Sequence, residues 1–403
     1  MSEIFNKYLK GDKVIWSVII FLSIVSLLAV YSSTGTLAYR FQGGNTAYYI
    51  IKHFSILMLG LFIIYVVHLI PYRLYSKLSQ LFLLISTVML VVTLFMGTSI
   101  NEATRWLTLP GLGITLQTSD LAKISLVMYL ARLLSMKQNN IKDLKHSFFA
   151  ILLPVLIVCG LIMPANLSTA IILFSTCVVL MFIGRIRSRY LLSLAGVSIL
   201  LVGIFISVAV YTHSEGRIGT WKSRVVNYVG TEETDSYQVE QSKIAIATGG
   251  VIGKGPGKST QRNFLPYPYS DFIYAIIVEE YGLVGGVTIL FFYLWLLYRA
   301  GVIVRKSERT FPAFLAIGLT LIIVFQAIIN MAVSVNLLPV TGQPLPLVSM
   351  GGSSLLFTSI AFGIILSVSH GVNKREDFVE NTETILKQRI EPEDISASIN
   401  PNV

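Results

Sequence analysis

Mostly apolar runs, each close to the length of a bilayer-crossing helix, constrain this chain more than any other feature. A helix needs about 20 such residues to cross the hydrocarbon. The runs fall at 14–32, 48–70, 78–97, 119–136, 147–164, 167–184, 190–211, 271–298, 311–335 and 352–371. Inside a membrane, backbone hydrogen bonds must close within each segment, so runs of this length fold as helices. The expected fold is therefore all-α: a polytopic membrane protein of about ten transmembrane helices, with one large extracytoplasmic loop at 212–270. Residues 1–371 form the membrane domain. The polar tail 372–403, mixed in charge, reads as a disordered cytoplasmic extension.

Composition supports this. Hydrophobic residues make up 54% and charged residues 13%, whereas a soluble domain carries about 25% charged residues. A water-facing surface for this much chain cannot be built. That excludes a large soluble enzyme, a disordered protein and a nucleic-acid-binding domain, despite a net charge of +10. Cys159 and Cys177 both lie inside apolar runs, which points to neither a disulfide framework nor a metal cluster. The first run is too long for a cleaved signal peptide and lacks a small-residue cleavage site. Pro154 removes a backbone donor and predicts a kink in the fifth run.

Basic residues give the orientation. Lys7, Lys10 and Lys13, Arg73 and Lys77, Arg132 and Lys137, Arg185 to Arg189, and Arg299 to Arg309 all fall in alternate loops, joined by Lys374 and Arg375 after the last run. The intervening loops hold few: Arg40 in one, Arg105 in the next. The first set is cytoplasmic, as are both termini. The 212–270 loop is basic but long, and long loops translocate largely regardless of charge.

Polar groups at membrane depth are costly and mark a site or a structural pair. Five places stand out, all at the outer ends of helices. Arg105-Trp106 pairs a lone cation, for an anionic group or a headgroup, with an interfacial anchor. Asp120 and Lys123 share a helix face; they form a neutralising ion pair, or Lys123 helps to hold phosphate. The loop glycines Gly249, Gly250, Gly253, Gly255 and Gly257 lack P-loop spacing and read as a flexible, turn-rich cover. At Ser270-Asp271-Phe272, Ser270 is a candidate N-cap, and the helix dipole favours the ionised form of Asp271. Glu279 and Glu280 lie roughly 12 Å deeper on the same helix, so neither pairs with Asp271 as a retaining glycosidase requires. Finally, 336–354 (NLLPVTGQPLPLVSMGGSS) holds three prolines and three glycines but no charge. Non-helical backbone at this depth is tolerated only when buried in protein or lining a cavity. Gln326 and Asn330, one turn apart, read as interhelical hydrogen-bonding residues.

Together and in this order, these places resemble the SEDS family (shape, elongation, division and sporulation) over roughly residues 14–371. Arg105-Trp106 looks like the family's Arg-Trp, and Gln117 to Lys123 like its Gln-Pro-Ser-Glu-Leu-Ala-Lys. Tyr237-Gln238, Gln241-Ser242 and the glycine run are similar to its Tyr-Gln, Gln-Ser and Gly-x-Gly stretch. Leu265-Pro266 and Asp271-Phe272-Ile273 resemble the block that carries its catalytic Asp. Glu279 to Gly282 and Leu338 to Ser354 resemble its remaining signatures. Tyr267 and Tyr269 stand where the family often has Glu and His, Asn166 where it has Asp, Thr118 where it has Pro, and Asp120 where it has Glu. The length and the Leu-Ala-Lys form look more like the cell-division member than the elongation member.

The resemblance implies a peptidoglycan glycosyltransferase of the bacterial inner membrane, working on its extracytoplasmic side. Its substrates would be lipid II and the undecaprenyl-pyrophosphate-linked glycan, and its chemistry inverting, with Asp271 as general base. Arg105, Lys123 and Arg224 are candidates for the pyrophosphate, with a divalent cation (Mg²⁺ or Mn²⁺) as a candidate helper and no protein metal site. Gln238, Gln241, Ser242 and Ser353 are further candidate substrate contacts; Asp120, Glu280 and Asn330 are candidate structural polar groups. Implied partners are a class B penicillin-binding protein, the transpeptidase, and other division-machinery membrane proteins. A lipid II flippase, a non-catalytic scaffold and the elongation-type paralogue are the rival readings. Flippases tend to show internal repeats and broken helices at the midplane, and no repeat is visible here.

Overall fold

The computed structural model describes residues 9–41, 43–100, 103–108, 115–141, 148–211 and 233–390. A helix stands at every apolar run: α1 (Lys13–Ser33), α3 (Thr46–Leu69), α4 (Tyr72–Met96), α5 (Thr118–Met136), α6 (Phe149–Ile162), α7 (Leu167–Ile183), α8 (Ser188–Tyr211), α10 (Ile273–Lys306), α11 (Thr310–Ser334) and α12 (Gly352–Ile390). Between them lie α2 (Gly35–Phe41) and α9 (Glu233–Gly249). Among the described residues, six helices (α1, α3, α4, α10, α11 and the Gly352–Lys374 part of α12) are long and apolar enough to cross a membrane. The shorter α6 and α7 are apolar too, and α6 continues past Pro154.

α11 is the hub. Every residue from Pro312 to Val324 is buried, the signature of a helix apolar on all sides and enclosed by others. It packs against α5, α7, α10 and α12. Gly318 permits the closest approach: a Cβ there would lie 2.7 Å from Val127 and 2.9 Å from Leu180. At the opposite end of the chain's path, Asp12 caps α1 through the Val14 and Ile15 amides (2.8 and 3.3 Å) and pairs with Arg299 at the end of α10. A side-chain acceptor of this kind satisfies amides that have no intrahelical partner.

Three features depart from the sequence expectations. The 98–118 connection is not plain loop: β1 (Thr98–Ile100), β2 (Ala103–Thr108) and β3 (Thr115–Gln117) form an antiparallel meander. Gly97 ends α4 with extended backbone, and the threonines and Trp106 that follow favour strands. The 212–270 loop contains α9, which packs on α10. Its glycine run is a clamp: the Lys254 and Gly255 amides bond the Glu279 and Glu280 carbonyls (3.0 and 2.9 Å), and the Leu283 and Val284 amides bond the Gly250 and Val251 carbonyls. A Cβ at Gly253 would lie 2.2 Å from the Glu280 carbonyl oxygen, so only glycine admits this approach. The clamp falls where Gly282 (φ 68°, ψ −171°) breaks α10 into two helical pieces. Lastly, helix continues through 372–390 in the tail; 391–403 lie outside the described residues.

Candidate active site

Residues 336–350 carry no helix, yet Gln343 and Leu345 to Ser349 are buried. Their carbonyls therefore need donors from elsewhere, and side chains supply them. Asn330 Nδ2 donates to the Gln343 carbonyl (2.7 Å) and Gln326 Nε2 to that of Pro344 (2.9 Å). Tyr293 Oη donates to the Pro346 carbonyl (2.5 Å) and Ser26 Oγ to that of Val348 (2.8 Å). Gln343 Nε2 reaches Thr169 Oγ1 on α7 (3.0 Å). The segment is a clasp, buried in protein and held by four helices. Leu347 within it adopts φ 64°, a backbone conformation that costs about 1–3 kcal/mol and persists only when the surroundings over-determine it.

The clasp grips the loop that holds Asp271. Ser349 Oγ donates to the Ser270 carbonyl (2.6 Å), and the Met350 amide to that of Tyr269 (2.9 Å). Asn330 Nδ2 also donates to the Asp271 carbonyl (2.8 Å). Gly342 faces the carboxylate: a Cβ there would sit 3.6 Å from Asp271 Oδ2. Ser270 is not the N-cap of α10; Phe272 holds that position without a side-chain cap. The Ser270 hydroxyl instead donates to Asp271 Oδ1 (2.9 Å), and its carbonyl is taken by Ser349, so the turn is fixed by the clasp. Asp271 is half-buried, just ahead of the helix. Tyr267, at φ 52°, stacks edge-on to Tyr269 (6.2 Å). Burial pushes the Tyr269 phenol above its ordinary value, with Tyr267, Tyr49 and the Asp271 charge adding to the shift. It remains a neutral donor near neutral pH.

Lys123 lies 2.8 Å from Asp120 Oδ1 and 3.1 Å from Gln326 Oε1, and all three side chains are buried. They line a narrow cleft with Pro346, Ser354 and Phe357. Asp120 Oδ2 has no hydrogen-bond partner among the described residues. Asp120 and Lys123 form the ion pair that their spacing allows.

Gln326, Asn330 and Ser334 occupy successive turns on one face of α11. Lys123 touches the first, Asp271 the second, and Ser242 the third, through its hydroxyl on the Ser334 carbonyl (2.7 Å). Three residues from distant motifs thus converge on one helix face. Ser242 is wholly buried and fastens α9 to α11. Ser353 accepts the Gln117 amide (3.3 Å) and ties α12 to β3. Gln238 and Gln241 are half-buried on α9. Arg105 lies in β2, its side chain outside the described residues, as is the whole of Arg224.

Glu279 and Glu280 are fully buried. Glu279 accepts from Lys254 Nζ (2.6 Å), Thr260 Oγ1 (2.8 Å), the Thr260 amide (3.0 Å) and Ser259 Oγ. Glu280 accepts from Ser32 Oγ and the Ser259 amide, and Arg262 donates to the Ser32 carbonyl (3.0 Å). Sequence reasoning missed this saturation, as it missed Tyr293, Ser26 and Gln343. Among the described residues, no group of three or more His, Cys, Asp or Glu side chains is placed to hold a metal ion.

The FtsW/RodA/SpoVE family model, described as "Cell cycle protein", matches residues 12–374. The chain belongs to this family. Among its FtsW/RodA/SpoVE relatives, the probable peptidoglycan glycosyltransferase FtsW of Trichlorobacter lovleyi is 31% identical over 90% of this chain and 93% of its own. The FtsW of Coxiella burnetii is 32% identical over 88% and 95%. Stage V sporulation protein E of Bacillus subtilis is 30% identical over 90% and 98%. Solved structures share the fold: a chain of a peptidoglycan synthase complex that coordinates polymerization and crosslinking (TM-score 0.67, 24% identity, 90% of this chain and 98% of that one). RodA of Thermus thermophilus aligns with TM-score 0.62 at 24% identity, over 90% and 98%. The FtsW/RodA/SpoVE match runs from just before α1 to Lys374 in α12, so it covers every element that builds the clasp and the Asp271 loop.

Proposed function

We propose that this FtsW/RodA/SpoVE family member is a peptidoglycan glycosyltransferase of the bacterial cytoplasmic membrane, polymerising lipid II into β-1,4-linked glycan strands with Asp271 as general base. The observation that carries this reading is the half-buried Asp271 carboxylate, presented by a loop whose backbone is held by α11 and the clasp. Asp271 takes the proton of the acceptor GlcNAc 4-hydroxyl. The oxygen attacks the anomeric carbon of the growing chain's MurNAc from the opposite face and inverts it, and undecaprenyl pyrophosphate departs with the bonding electron pair. A general base contributes about 10²–10⁴-fold; positioning of two lipid-anchored substrates supplies much of the rest.

Lys123, already paired with Asp120 and Gln326, is not a spare cation. Stabilisation of the leaving pyrophosphate falls to Arg105 and Arg224, with a divalent cation carried on the pyrophosphate itself as a helper. The positive-inside bias supports cytoplasmic termini and an extracytoplasmic site. The relatives named FtsW support a septal role, and the synthase-complex likeness supports a class B penicillin-binding protein as partner. The test is Asp271→Asn in vesicles containing purified lipid II. Loss of polymer with normal insertion is expected; polymer at the unsubstituted rate removes Asp271 as the base. Lipid scrambling measured in the same vesicles separates polymerase from flippase.

A further inference from the structure

We infer that His53 and Ser26, a buried pair remote in sequence from every motif above, are positioning residues for the Asp271 loop. The inference rests on Asp271 being the base. His53 on α3 is 1% exposed and Ser26 on α1 is 0% exposed. Ser26 Oγ lies 2.8 Å from His53 Nε2 and 2.8 Å from the Val348 carbonyl oxygen. A carbonyl only accepts and a serine hydroxyl has one proton. That proton therefore goes to Val348, and His53 Nε2 must carry a hydrogen and donate it to Ser26. The pair is a directed relay, from α3 through α1 into the clasp.

Val348 sits between Leu347, at φ 64°, and Ser349. Ser349 Oγ accepts the Leu345 amide (2.8 Å) and donates to the Ser270 carbonyl (2.6 Å). Ser270 in turn donates to Asp271 Oδ1 (2.9 Å). The relay thus holds the clasp one residue from its strained position and one residue from its grip on the base's own loop. Without it, Leu347 can relax and carry Ser349 with it. Misplacing a catalytic group by about 1 Å can cost about 10²-fold, and the relay acts at one remove.

The experiment uses the full chain in lipid vesicles with lipid II, comparing His53→Phe, Ser26→Ala, the double variant, His53→Gln and Asp271→Asn. His53→Phe and Ser26→Ala should each lower kcat about tenfold with KM unchanged, a loss larger than any fall in melting temperature explains. The double variant should fall no further than the lower single. His53→Gln, whose amide can still donate to Ser26, should recover to within threefold of the unsubstituted chain. Folded His53→Phe and Ser26→Ala with kcat within twofold of the unsubstituted chain overturn the inference. So does a loss that follows melting temperature and is not rescued by His53→Gln, since that marks a packing role. Near-normal polymerisation by Asp271→Asn sinks the base assignment and the inference together, which distinguishes that failure from the first.

Discussion

The 250–272 loop meets α10 twice, and the two meetings treat a carboxylate in opposite ways. At Glu279 and Glu280 the loop closes over the side chains, and hydroxyls, amides and Lys254 consume the negative charge. At Asp271 the backbone is gripped: Asn330 takes the Asp271 carbonyl, Ser349 that of Ser270, and Met350 that of Tyr269. The Asp271 side chain stays half-exposed beside Gly342. α10 thus carries a pair of structural acids, and the turn just ahead of it carries an acid held by its main chain. Burial with full hydrogen bonding makes a carboxylate structural; a fixed backbone with a half-exposed side chain is the arrangement the proposed base needs.

The largest expected effect tests that contrast directly. Asp271→Asn should lower polymerisation by about 10²–10⁴-fold with no fall in melting temperature, whereas a stability loss matching that at Glu279 would erase the distinction. Glu279→Ala should do the reverse. Removing one partner of a buried ion pair costs about 3–5 kcal/mol, and the lower end is expected because Lys254 is 28% exposed; denaturation in detergent reads the loss. Lys123→Met, which leaves buried Asp120 without its cation, should also destabilise by about 3 kcal/mol, and full retention of stability would return Lys123 to the substrate site.

Smaller effects refine the picture of the Asp271 loop. Gly342→Ala places a side chain at φ 63° facing the carboxylate, at a cost of about 1–2 kcal/mol; the turnover rate should fall while the Glu279 cluster is untouched. The smallest effect concerns Tyr269. Its folded-state value lies above the ordinary 10.0, so the unfolded chain loses that proton first. Its contribution to stability is intact below about pH 10 and declines as pH rises further. Tyr269→Phe should flatten that alkaline decline in a melting-temperature series.

Much of the fold could be read from the chain because hydrocarbon leaves little choice: an apolar run of that length closes its own hydrogen bonds as a helix. Asp271 and the Asp120–Lys123 pair were also legible, since ionisable residues beside apolar runs are few. The prolines of 336–354 announced buried, non-helical backbone. The donors that satisfy it left no such trace. Tyr293, Ser26 and His53 are isolated polar residues in apolar helices, and Ser26 meets Val348 across 322 positions of sequence. The glycines at 249–257 were visible, but flexibility and tight backbone contact look alike until the partner strand of chain is known. Gly282 supplies it.

The sequence by itself determined where helices stand and which motifs carry charge, because those depend on local hydrophobicity and short spacing. Only the tertiary structure decided that Glu279 and Glu280 are saturated and that the backbone around Asp271 is gripped, because that depends on donors converging from α1, the 254–260 loop, α11 and the clasp. Hydrogen-bond geometry of that kind is a property of three-dimensional proximity, and residue order alone does not encode it in readable form.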